Sequence, residues 1–138
     1  MLKSLLRNLT IGVAVSVTAL PSSASEIDTR LVGNWQGQRE QGGKCTFLAW
    51  KMARYADGKF EIAFFKDPHR TKESSRERGV WWVKGNEFYT HTKGVAAPDG
   101  YRYKVLSENT VRFTVLKRDP SGDCQAAYEF TDHRVPTK

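Results

Sequence analysis

After its first two dozen positions the chain breaks into short runs in which apolar and polar residues alternate. Phe60, Ile62 and Phe64 alternate with Glu61; Tyr101, Tyr103 and Val105 alternate with Arg102 and Lys104; Val111, Phe113 and Val115 alternate with Arg112 and Thr114. A period of two places one set on a buried face and the other in water, which is the pattern of a strand in an antiparallel sheet. Eight runs of this kind are expected, at 31–39, 45–55, 59–66, 78–84, 87–93, 101–106, 110–118 and 124–135. No stretch among them carries a helical period of useful length.

The connectors fall into two classes. Ala56-Asp57-Gly58, Gly85-Asn86 and Ser107-Glu108-Asn109 read as tight hairpin turns, because Gly and Asn tolerate positive φ. The others, 40–44, 67–77, 94–100 and 119–123, are longer. Short and long connectors alternate, so an up-and-down meander puts every long loop at one end. Eight antiparallel strands without intervening helices close most simply into a barrel, which removes exposed sheet edges. The expected fold is therefore an all-β, eight-stranded antiparallel up-and-down barrel.

Positions 1–24 follow a different rule. Lys3 and Arg7 precede an uncharged, mostly apolar stretch from Asn8 to Leu20, and Pro21-Ser22-Ser23-Ala24 supplies small residues for a cut after Ala24. That order predicts a cleaved secretory signal peptide, with a single domain at 25–138. The apolar stretch is shorter than the ~20 residues of a spanning helix. Removing those 24 residues, with Lys3 and Arg7, from the 138 leaves 114 and lowers the net charge from +7 to +5. Export to the periplasm or beyond makes a nucleic-acid partner a poor reading of this charge. A membrane-spanning barrel is also a poor fit, because Glu61, Lys84, Arg102, Lys104 and Arg112 interrupt the outer apolar band it needs. Cys45 and Cys124 both lie in the exported part, and in an oxidising compartment they read as one disulfide. If the first strand ran between them they would stand about 9–10 Å apart. A bridge needs Cα atoms within about 7 Å, so that strand must end or bend by Gly42-Gly43.

The first run opens with Leu31-Val32-Gly33-Asn34-Trp35-Gln36-Gly37, and Arg134 stands near the end of the last. A Gly-x-Trp heading an eight-stranded meander, with an Arg from the last strand, resembles the lipocalins and related calycin-type barrels. The resemblance implies that Trp35 packs across a closed end with Arg134 over its ring, and that a small hydrophobic or aromatic ligand enters at the open end. Topology alone brings the two residues to one barrel end, within reach of a cation–π contact.

Candidate ligand residues are the inward aromatics just below the open end: Phe47, Phe64, Tyr101, Tyr103 and Tyr128. The charged segment 66–78 holds five basic and three acidic residues. It is expected to overhang that end, with Arg70, Lys72, Arg76 and Arg78 as rim candidates for a partner. The bulky groups of Trp81-Trp82 and of Leu48, Trp50 and Met52 predict an exposed apolar patch as well. Catalysis has no residue set to carry it. His69, His91 and His133 are scattered, no Ser has a nucleophile context, and two Cys without a His pair do not make a metal site. The expectation is a non-enzyme without cofactor or metal. It either binds a small hydrophobic ligand or, alternatively, acts as an exported inhibitor-type module that grips a protein through its loops around a filled barrel.

Overall fold

The structure, a computed structural model, describes residues 12–18, 26–43 and 45–137. The expected signal peptide lies outside the described residues apart from 12–18, which form no regular element. Eight strands follow in chain order: β1 Gly33–Arg39, β2 Leu48–Arg54, β3 Lys59–Phe65, β4 Glu73–Lys84, β5 Glu87–Thr92, β6 Asp99–Ser107, β7 Thr110–Lys117 and β8 Glu129–Arg134. Each pairs antiparallel with the next, and β8 closes on β1 through Trp35↔Arg134 and Gln36↔His133. The barrel is closed and up-and-down, and among the described residues its only helical element is a 3-10 turn, Thr29–Leu31.

The inward parity of the strands fills the lower barrel with Trp35, Phe60, Trp81, Phe88 and Phe113, and Leu31 of the 3-10 turn joins them, all buried. The tight turns lie at this end. Glu26 pairs with Val83 and the 3-10 turn crosses beneath the barrel, so the segment ahead of β1 closes the base. Asp28 caps that turn by accepting from the Arg30 amide. The expected strand start at Leu31 is therefore displaced to Gly33, where φ is +128° and a side chain would collide with the Arg134 guanidinium.

Three other boundaries are corrected by partner geometry. β4 begins at Glu73 rather than at 78, because β3 offers it a ladder of partners from Phe65↔Glu73 onward. Its first half is polar on both faces, so alternation could not reveal it. β2 begins at Leu48 rather than at Cys45, and β8 at Glu129 rather than at Cys124. Both cysteines sit in connectors, where Cys45 and Cys124 form a disulfide with a Cα separation of 5.2 Å. The crosslink passes the tip of β1, which ends at Arg39. There the chain turns back through a Gly42↔Cys45 bridge, with Gly43 at φ +56°.

The connector between β3 and β4 differs most from its expected position. It folds back over the outer wall instead of overhanging the mouth. The Asp67 carboxylate accepts from the amides of Thr71 and Lys72. Arg70, held at φ +54°, donates to the backbone oxygens of Gly37 (2.8 Å) and Trp50 (3.2 Å). The reason is apolar: Ala49, Ala63 and Phe65 point outward from β2 and β3, and the cluster they form with Phe47 is buried.

Candidate functional site

The barrel is not filled throughout. A cavity of about 800 Å³ runs from the aromatic core to the ring of long connectors and opens there. Ligand cavities of ordinary size fall in the range of about 300–1,000 Å³. Three layers of side chains define it.

The floor holds charge where the strand pattern expects hydrocarbon. Arg54 follows Trp50 and Met52 at the inward positions of β2, and Asp132 follows Phe130 on β8. Both are about 1% exposed, and their side chains meet at 3.0 Å. Trp50 Nε1 donates to the other Asp132 oxygen, also at 3.0 Å. Gly37 makes this meeting possible, because a Cβ there would strike Asp132 and the Trp50 indole. The Arg54 guanidinium lies over Trp35 at 4.9 Å and over Phe88 at 5.4 Å. Burial pulls its pKa below the ordinary guanidinium value, although an arginine in a protein keeps its charge.

Aromatic rings form the middle layer. Phe130 stacks on Phe113 at 5.1 Å and meets Trp50 and Tyr101 edge-on at 4.9 and 5.6 Å. Phe64 and Tyr128 complete this wall above them. Burial pushes the Tyr101 hydroxyl pKa up, so the phenol stays a neutral donor. The opposite wall is lighter and polar, with Ser75 and Glu77 from β4 and Thr90 and Thr92 from β5. Desolvation raises the Glu77 carboxyl above its usual range, and its partner is the Thr92 hydroxyl at 3.4 Å. β4 and β5 pair only from Gly79↔Thr92 downward, so this wall parts toward the mouth.

The mouth is a belt of ion pairs that fastens connectors. Arg39 is buried, donates through two nitrogens to Asp123 and lies over the Tyr128 ring at 5.4 Å. That hydrogen bond holds the Asp123 carboxyl below its ordinary pKa. Arg118 Nε faces Asp99 at 3.4 Å, and its Nη1 donates to the Tyr128 hydroxyl. Asp119 accepts from the amides of Ala97 and Ser121, which joins the 93–98 connector to the 118–128 connector. The disulfide anchors the same region to the connector ahead of β2.

Four of the five aromatic candidates, Phe47, Phe64, Tyr101 and Tyr128, line the cavity. Tyr103 does not. β6 descends from the mouth, so Tyr103 sits nearer the base, where its hydroxyl donates to Asp28 at 2.8 Å and its amide to the Asn86 oxygen. None of the four basic rim candidates lines the cavity. Arg70 is spent on the outer wall; Lys72 is exposed; Arg76 pairs with Glu73 at 2.5 Å. Arg76 and Arg78 alternate with the cavity-lining Ser75 and Glu77 and so face outward. Arg134 lies 4.2 Å over the Trp35 ring and donates to the oxygens of Arg30, Val32 and Glu108. Trp50, Met52 and Trp81 are buried; Trp82 faces out and stacks on Tyr89 at 5.4 Å, with Val80 exposed on the same strand face.

The pattern reading missed Arg39, Arg54, Arg118 and Asp132. Their signal was parity. Arg54 continues the inward series Trp50, Met52, and Asp132 continues from Phe130, so each is a charge in register with a buried face. Among the described residues no group of three His, Cys, Asp or Glu is placed to hold a metal ion, and no helix is long and apolar enough to cross a membrane. No protein-family model, curated protein or solved structure matches the chain.

Proposed function

We propose that this chain is an exported, lipocalin-like carrier that binds a small hydrophobic or aromatic molecule inside its barrel. The observation that carries the reading is the cavity of about 800 Å³, walled by aromatic rings and open among the long connectors. Small barrels without a ligand to hold fill their interiors with side chains. The lipocalin-like label rests on Gly33-x-Trp35 at the head of β1 with Arg134 across the indole. The crosslink between Cys45 and Cys124 supports an oxidising location such as the periplasm or the exterior. The rival reading, an inhibitor-type module acting through its loops, calls for a filled barrel, and a cavity of this size weighs against it.

The test is titration with a neutral naphthylamine fluorophore, followed by emission of the probe and quenching of tryptophan. Saturable one-to-one binding that Tyr101→Trp or Phe64→Trp weakens is the expected result. An absence of saturable binding, together with native mass spectra of protein from its own host that carry no small molecule, would overturn it.

A further inference from the structure

One of the five tyrosines is unlike the rest. Tyr55 donates to Glu61, Tyr89 to Glu87 and Tyr103 to Asp28, and the Tyr128 hydroxyl accepts from Arg118. Among the described residues only the Tyr101 hydroxyl has no hydrogen-bond partner. The residue is 8% exposed, and its ring is fixed among those of Phe88, Phe113 and Phe130, with centroids at 6.1, 6.2 and 5.6 Å. The hydroxyl therefore cannot swing away to find a partner elsewhere. Buried polar groups are as a rule hydrogen-bonded, so an exception calls for a reason.

This hydroxyl is not walled in. Among the described residues the polar side-chain atoms that are both sealed and unpaired are Arg54 Nη2 and Arg118 Nε. Tyr101 instead lines the cavity, and what remains accessible of it faces that space. At this point the wall offers one proton and nothing to receive another. Burial keeps the phenol neutral, and the three phenylalanine rings around it carry no acceptor. A group that fits must accept without donating. A carbonyl oxygen does so, a hydroxyl brings a proton that these rings leave unpaired, and a protonated amine has no lone pair to give. Charge points the same way. The lining holds four basic and five acidic side chains, and its arginines are matched: Arg39 by Asp123, Arg54 by Asp132 and Arg118 by Asp99. No surplus of positive charge awaits an anion.

We infer that the molecule held in the barrel is an uncharged aromatic carbonyl compound whose oxygen accepts a hydrogen bond from the Tyr101 hydroxyl. This deepens the carrier reading and rests on it. The ring body of the ligand then lies against Phe64, Tyr128 and Phe130, which share the cavity wall with Tyr101.

The test uses two probes of one shape, 2-acetylnaphthalene and 2-isopropenylnaphthalene, which differ in a carbonyl oxygen against a methylene group. Both are titrated into the intact disulfide-bonded protein by displacement of the naphthylamine fluorophore. The ratio of ketone to hydrocarbon affinity should fall about tenfold in Tyr101→Phe, the scale of one hydrogen bond. The same change at Tyr103, which lies outside the cavity, should leave the ratio in place. 2-Naphthoate should bind more weakly than the ketone at neutral pH. Infrared difference spectra give a second readout that needs no variant: the carbonyl stretch of the bound ketone should lie below its position in hexane. A ratio that Tyr101→Phe does not move, a stretch at the hexane position, or naphthoate binding as tightly as the ketone would overturn the inference. The carrier reading would survive each of these as long as the fluorophore itself bound saturably. Failure of the fluorophore and of both naphthalenes to bind would overturn the carrier reading itself.

Discussion

At the closed end of the barrel Trp35 is fully buried under two guanidinium groups. Arg54 and Asp132 pair with about 1% of either side chain exposed, and Arg134 is tied to three backbone oxygens. At the open end Arg39 and Arg118 also pair with carboxylates, but Asp123 is 58% exposed and Asp99 21%. The same chemistry therefore has different consequences. A pair whose acid stands in water is screened and worth about 1 kcal/mol or less. A pair sealed from water repays its desolvation only while both partners remain. The closed end is thus where substitution should cost stability, and the open end is where connectors can change without loosening the core.

The largest effect expected from this contrast is at the base. Asp132→Ala strands Arg54 and removes the Trp50 acceptor, so it should cost about 3–5 kcal/mol, and Trp35→Ala should cost a similar amount as a core truncation. Asp123→Ala at the mouth should cost less, about 1–2 kcal/mol, because the lost carboxylate stands half in water although Arg39 behind it is buried. Urea midpoints at constant m-value give the comparison. Equal losses at the two ends would break it.

The open end has one strong fastener, which acts by another route. The bridge from Cys45 to Cys124 spans 79 positions, so its main effect is on the unfolded chain. Replacing both cysteines with serine should cost about 2–4 kcal/mol while the β-type circular dichroism at room temperature stays unchanged. Loss of that spectrum would mean that the bridge organises the barrel as well as shortening the unfolded chain.

The barrel itself was legible because strand alternation and turn chemistry depend on neighbours in sequence. The sites of failure are those where distant partners decide. The first half of β4 is a strand because β3 lies beside it, although Glu73, Ser74, Ser75 and Arg76 carry no apolar alternation. The connector with Arg70 leaves the mouth because outward Ala49, Ala63 and Phe65 need cover, a demand visible only once β2 and β3 are paired. Of the five aromatic candidates, Phe64, Tyr101 and Tyr128 could be read from inward parity, whereas Phe47 has the parity of outward Ala49 and reaches the cavity from the connector ahead of β2. Tyr103 could not, because parity gives the face of a strand and leaves open its height in the barrel. The buried charges Arg54 and Asp132 were visible as exceptions to the pattern, but nothing in a linear sequence says that they meet.

Arg70 offers a sharper version of the contrast, since it is a charged residue of the open-end connectors that behaves as structure. Arg70→Ala should cost about 1–2 kcal/mol, from lost hydrogen bonds to Gly37 and Trp50 and from a left-handed backbone that alanine tolerates poorly. Arg70→Gly loses the same bonds without the backbone cost and should be milder. The reverse order in thermal melts would show that its φ of +54° plays no part. Smaller still is the coupling between Trp35 and Arg134. A double-mutant cycle with Trp35→Leu and Arg134→Met should give about 0.5–1 kcal/mol of favourable interaction. Additivity would remove the cation–π contact from the account of the closed end.

The smallest effect lies in the segment that seals the base. There Tyr103 donates to Asp28 while Arg30 donates to the same carboxylate through its amide and side chain. The side-chain bond from Arg30 holds Asp28 below its ordinary pKa, and burial together with the Asp28 bond pushes Tyr103 up to about 12. The two shifts act at opposite ends of the pH scale. For the depressed acid, the stabilisation is present above about pH 4 and fades as pH falls through the native value. For the raised phenol, it is present below about pH 10 and fades as pH rises toward 12. Tyr103→Phe should therefore lose about 1 kcal/mol or less between pH 5 and 9, and the gap from wild type should close between about pH 10 and 12. Asp28→Asn should close its own gap only on the acid side, below about pH 4. Chemical denaturation at stepped pH measures both. A Tyr103→Phe gap that persisted unchanged at pH 12 would show that the phenol does not depend on Asp28. The segment ahead of β1 would then be held by its 3-10 turn, the Glu26–Val83 pairing and the hydrogen bonds that its backbone oxygens accept from Trp35, Arg54 and Arg134.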